Sequence, residues 1–166
     1  DRPDVALVII GANDVTTKVS IAEAAAMLGA QVSRMRLAGI GVVVGTCPDL
    51  GTVLPIAQPL RSVARSWSLR LAREQRTAVE RAGAVAVPLA DLLAPEFLAR
   101  PGDLFSGDRF HPNAIGYDAA ASVLLAPLCS VAGIWHGGPL PVRPLRSAAA
   151  EARRPTSRVV AWLNRH

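Results

Sequence analysis

Asp108 and His111 stand three residues apart in the stretch LFSGDRFHPN (104–113), and Pro112 follows the histidine at once. Proline disfavours helical backbone at the residue before it, so the imidazole sits on extended chain just ahead of any following helix. Asp108 can then fold back toward it across a turn. A carboxylate bonded to Nδ1 fixes the tautomer, stabilises the imidazolium and leaves Nε2 free as a general base. The same spacing also describes a plain turn and cap with an incidental histidine. A metal site is disfavoured, because no third His, Cys or acidic partner lies nearby in sequence.

A second group of interest is Gly11-Ala12-Asn13-Asp14, which follows an apolar run. A turn followed by a cap is one reading. The other is chemical: an Asn amide at the carboxyl end of a strand is a pre-aimed donor for a tetrahedral oxyanion, worth roughly 3 to 4 kcal/mol in a transition state.

Both groups need elements to hold them. VALVII (5–10) is a continuous β-rich apolar run ended by Gly11, as expected for a strand buried on both faces. Ser20-Ile21-Ala22-Glu23 matches a capping box; Ala24, Leu28, Val32 and Met35 mark one helical face before Gly39. A second strand is predicted over 40–46. Residues 47–59 hold Pro48, Pro55 and Pro59 and read as a long loop of the functional kind, on which Leu50, Val53, Leu54 and Ile56 line an apolar pocket or pack inward. Val63, Trp67, Leu71, Ala78 and Ala82 then repeat at helical spacing up to Gly83, with arginines and glutamates on the other faces as solvated charge. AVAVPL (84–89) is a third strand, and a loop carrying Asp108 and His111 follows it. Asn113 caps a final helix over 114–125, with Asp118 in its first turn.

Strands alternating with helices imply an α/β fold of three layers, α/β/α, around a parallel sheet. Ligands in such sheets bind beyond the carboxyl ends of the strands, where both groups fall.

Charge narrows the partners. The chain carries a net charge of +5, yet residues 1–136 hold 12 basic and 12 acidic side chains, while 137–166 hold six arginines and one glutamate. The body is neutral, which argues against nucleic acid as its partner. The basic tail can touch anionic surfaces, though solvated charge is the commoner explanation of such a tail. A linker is expected over 137–144 and a short helix over 148–165, so the globular domain is 1–136. Cys47 and Cys129 lack metal-type spacing and read as small apolar residues. No apolar run reaches the roughly 18 residues of a membrane span.

Taken in this order, the two groups resemble the third and fifth blocks of the SGNH hydrolases, also called GDSL-type lipases and esterases. Gly11, Ala12, Asn13 and Asp14 look like the Gly-x-Asn-Asp block, and Asp108 and His111 like the Asp-x-x-His block, over about residues 4–128. The resemblance implies a flavodoxin-like sheet of five parallel strands. It implies that His111 is the general base, Asp108 its orienting acid and Asn13 an oxyanion-hole donor. Gly11 would permit close backbone approach, and Asp14 would hold the loop. It also implies an acyl-enzyme on a serine, acting on a small-molecule, lipid or glycan ester with no cofactor and no metal. The departure is in the first two blocks: no serine here follows a strand in a Gly-Asp-Ser context. The nucleophile and the central first strand are therefore expected upstream of Asp1, which would leave the strand before Asn13 without a neighbour and the isolated chain inactive. A non-catalytic binding module of the same fold is the alternative.

Overall fold

The computed structural model describes residues 3–16 and 19–135. Three parallel strands form one sheet in the order β1 (Val5–Ile9), β2 (Gly41–Gly45) and β3 (Val85–Val87). Helix α1 (Ile21–Leu37) joins β1 to β2, and α2 (Leu60–Arg81) joins β2 to β3. Helices α3 (Leu89–Ala99), α4 (Pro101–Leu104) and α5 (Ala114–Val131) complete the described residues. The expected linker over 137–144, the helix over 148–165 and the basic tail lie outside the described residues.

Strand β2 shows why the layers form. Val42, Val43 and Val44 are at most 1% exposed, and successive strand residues point to opposite faces. Val42 and Val44 meet Leu28, Val32 and Val79 from α1 and α2; Val43 meets Leu93, Phe97 and Leu124 from α3 and α5. Burying each such valine contributes about 1.5–3 kcal/mol, and the outcome is the expected α/β/α arrangement.

Several expectations change in detail. Strand β1 is not buried on both faces: Leu7 is 43% and Ile9 51% exposed. It pairs with β2, from Val5 opposite Gly41 to Ile9 opposite Gly45, so it does keep a neighbour. Its other edge has no strand partner among the described residues. The third strand is shorter than 84–89, because α3 already begins at Leu89. Where a loop was expected, α3 and α4 intervene; Pro95 lies inside α3 and Pro101 opens α4, and prolines at such spacing imitate loop sequence.

The buried face of α2 is also different. It consists of Ala64, Ser68, Leu71, Gln75 and Val79, while Val63 and Trp67 are 51% and 39% exposed. Two buried positions are polar, so apolar periodicity pointed one residue away. Leu50 and Val53 pack in the core, Ile56 lies against it and Leu54 is exposed, so packing accounts for most of the side chains considered for an apolar pocket.

Helix α5 is capped by Asn113 as expected, but it runs to Val131 and leaves Asp118 beyond the first turn. Its 18 residues have a mean hydropathy of 1.5, long and apolar enough to cross a membrane by length and composition. That corrects the reading of the sequence, where Gly116, Tyr117 and Asp118 interrupt the apolar run. In this fold Ile115, Ala119, Val123 and Leu128 pack against the core, and Val131 lies over Gly41 of β2.

Candidate active site

The loop between α4 and α5 is a small closed structure. Phe105 and Pro112 form an isolated antiparallel bridge, Ser106 N–H donates to the His111 carbonyl at 2.8 Å, and Asn113 N–H donates to that of Leu104 at 2.9 Å. Asn113 locks the exit, since its Oδ1 accepts from the N–H groups of Ile115 and Gly116 while Nδ2 donates to the carbonyls of Asp103 and Phe105. Inside this frame Arg109 adopts φ 55, the left-handed conformation that lets the chain double back.

Asp108 is the hub of the turn. Its Oδ1 accepts from Ser106 Oγ at 2.7 Å, from Phe110 N–H at 2.9 Å and from His111 N–H at 3.0 Å. Its Oδ2 lies 2.6 Å from His111 Nδ1. The bond to His111, then that from Ser106 and the two backbone N–H groups, hold the carboxyl well below the usual carboxylate range. An ionised carboxylate only accepts, so the proton sits on Nδ1 and the Nε2 lone pair is left for a base. The imidazole is exposed, with the Phe110 ring edge-on at 5.0 Å.

At the other group, β1 ends and the chain turns sharply. Gly11 has φ +128, and a Cβ there would stand 2.7 Å from Cys47 Cβ and 3.0 Å from Gln75 Nε2, so only glycine fits. Asn13 is exposed on the following turn, and Asp14 opens a single 3-10 turn, Asp14–Thr16. Asp14 borders a crevice formed with Val15, Val19, Ile21, Ala24, Trp67 and Leu71. Cys47 lies beneath this loop; burial, and then the charges of Asp14 and Asp49, push its thiol up to about 12.

Asp108 and His111 are thus in direct contact. Asn13 lies on a different loop; Ala12 and Val15 beside it, and Phe110 beside His111, pack against the same core cluster. Among the described residues, no group of three or more His, Cys, Asp and Glu side chains could hold a metal ion.

Ser106, Ser68 and Ser20 have other work. Ser106 shares its one hydroxyl proton between Asp108 Oδ1 and the His111 carbonyl. Ser68 is buried, donating to the Arg65 carbonyl and accepting from Leu50 N–H, and Ser20 caps α1. Sequence reasoning had no role for Ser106 as a brace of Asp108, or for Gln75. A Ser-x-Asp turn signals the first; the second becomes visible only once the phase of α2 is known.

A parallel sheet between helical layers carries the carboxylate–histidine pair on the loop just before α5, which defines an α/β protein of three layers. The GDSL-like Lipase/Acylhydrolase family model matches residues 1–119, and the chain belongs to that family. It is 51% identical over 126 residues to the GDSL-like esterase Rv1075c of Mycobacterium tuberculosis, a match covering 76% of this chain and 40% of that protein. The chain therefore spans well under half the length of this curated relative. Its fold is similar to the crystal structure of LAE5, an alpha/beta hydrolase enzyme from the metagenome of Lake Arreo, Spain, with a TM-score of 0.62 at 23% identity. That match covers 78% of this chain and 62% of LAE5.

Proposed function

We propose that this chain carries the base and oxyanion half of a serine ester hydrolase whose nucleophilic serine lies upstream of Asp1. Membership of the GDSL-like family supports ester hydrolysis in general. The observation that carries the finer reading is the 2.6 Å bond between Asp108 Oδ2 and His111 Nδ1.

In this scheme His111 Nε2 takes the hydroxyl proton as the serine oxygen attacks the ester carbonyl, and Asp108 stabilises the imidazolium. The Asn13 amide donates to the oxyanion. His111 then returns the proton to the departing alkoxide, leaving an acyl-enzyme. In the second half it takes a proton from water as the water oxygen attacks the acyl carbon, then returns that proton to the departing serine oxygen, releasing the acid and restoring the neutral base. The route requires no metal and no organic cofactor. Ser20, Ser68 and Ser106 are engaged in caps and braces, and no serine of this chain follows a strand in a Gly-Asp-Ser context, which supports a nucleophile supplied from elsewhere.

The test is labelling of the full-length protein with a serine-directed fluorophosphonate. The expected adduct maps to a serine preceding Asp1, and His111→Ala slows its formation by at least about 100-fold. An adduct on Ser106, or none with the intact protein, contradicts the proposal; the latter favours a binding module of the same fold.

A further inference from the structure

We infer that Gln75 is a positioning residue of the esterase site: from the buried face of α2 it clips the ends of β1 and β2 together beneath the loop that bears Asn13. This rests on the reading of Asn13 as an oxyanion donor.

Gln75 is 0% exposed, on the same helix face as Leu71 and Val79. A carboxamide at such a place must find hydrogen bonds to replace those it loses from water, whereas Leu or Met would have no such need. Its partners are specific. Oε1 accepts from Cys47 N–H at 2.8 Å, and Nε2 makes a longer bond, 3.5 Å, to the Ile10 carbonyl. These two backbone groups lie just past the last ladder pair, Ile9 opposite Gly45, where β1 and β2 stop bonding to each other. Gln75 therefore continues the connection between the strands at the point where the chain leaves β1 for Asn13.

The path of that chain depends on the same side chain. Gly11 follows Ile10 and lies directly against Cys47 and Gln75, as the 2.7 Å and 3.0 Å approaches of a hypothetical Cβ make plain. Seven residues earlier on α2, Ser68 Oγ accepts from Leu50 N–H, holding the chain after β2 in the same manner. Ser68 serves that loop alone. Gln75 reaches both strands, so displacing it moves the segment that aims the Asn13 amide. An oxyanion donor acts only at short, well-aligned distances, and small misplacements are costly to turnover.

The experiment uses the full-length protein, p-nitrophenyl acetate and a double-mutant cycle. Gln75→Met keeps the volume and loses both bonds; Gln75→Glu keeps an acceptor for Cys47 N–H. The expected result is a kcat about tenfold lower in Gln75→Met with KM within twofold, a smaller loss in Gln75→Glu, and a Gln75→Met/Asn13→Ala double variant no slower than Asn13→Ala. A kcat within twofold of wild type, or losses that multiply in the double variant, would overturn the inference. If Gln75→Met does not fold, Gln75→Glu carries the same cycle and criteria. A wild type without His111-dependent turnover would sink the esterase reading instead. The clip is then decided by amide hydrogen exchange: faster exchange at Cys47 and residues 11–14 in the Gln75 variant upholds it, and unchanged exchange overturns it.

Discussion

Asp108 accepts four hydrogen bonds, of which only the one to Nδ1 orients the imidazole; the others make the turn. Asp108→Asn should therefore retain the turn but lose control of the tautomer, lowering ester turnover by roughly 10³-fold or more in steady-state kinetics of the full-length protein. The sign of its pH dependence follows from the lowered pKa. The unfolded carboxyl titrates near about 3.9, so the stabilisation is complete above that pH and is lost as pH falls through the lower folded value. Denaturant unfolding between about pH 5 and pH 2 should show stability declining, with a flatter slope in Asp108→Asn. Cys47 has the opposite behaviour: its thiol, raised to about 12, contributes fully below 9.0 and loses that contribution as pH rises through the folded value. At neutral pH it should resist alkylation in the native protein and react on denaturation. Gly11→Ala should cost roughly 2 kcal/mol or more in unfolding free energy, combining φ +128 with the contact on Cys47.

At the scale of elements, the signals that local chemistry fixes were legible in the sequence. Ser20 caps α1 by accepting from Glu23 N–H, and Asn113 caps α5, because short polar side chains before apolar runs have few other uses there. Asn113 does more than cap, since it also donates to the carbonyls of Asp103 and Phe105. Asn113→Ala should cost about 2 kcal/mol, read from denaturant melts, and loosen the His111 loop. What depended on tertiary context was not legible. The buried face of α2 was displaced because Ser68 and Gln75, which no apolar pattern includes, sit on it, and they do so because loop backbone needs partners there. Helix α3 was hidden by Pro95, whose missing N–H and ring argue against a helix that packing on the core nevertheless forms. Asp108, His111, Gly11 and Asn13 stood out in the sequence because their types and order are chemical; Ser106 and Gln75 did not, because their role lies in whom they touch.

At the scale of the molecule, helices cover both faces of the sheet, and β1 is one of its two edge strands among the described residues. The three-layer plan was visible from the alternation of strands and helices, but the exposure of β1 was not, since a continuous apolar run reads the same at an edge as at a centre. Leu7 and Ile9 are exposed beside backbone groups without a strand partner among the described residues, a combination that invites pairing with another strand. The isolated 166-residue chain should accordingly self-associate in light scattering, and Leu7→Lys should reduce that association.

The central claim is that His111, oriented by Asp108, moves the proton in ester cleavage. The direct measurement is kcat/KM for p-nitrophenyl acetate in the full-length protein, wild type against His111→Ala. The account predicts a loss of about 10³-fold or more, with the isolated chain no faster than its own His111→Ala variant. Turnover by full-length His111→Ala within twofold of wild type would contradict it.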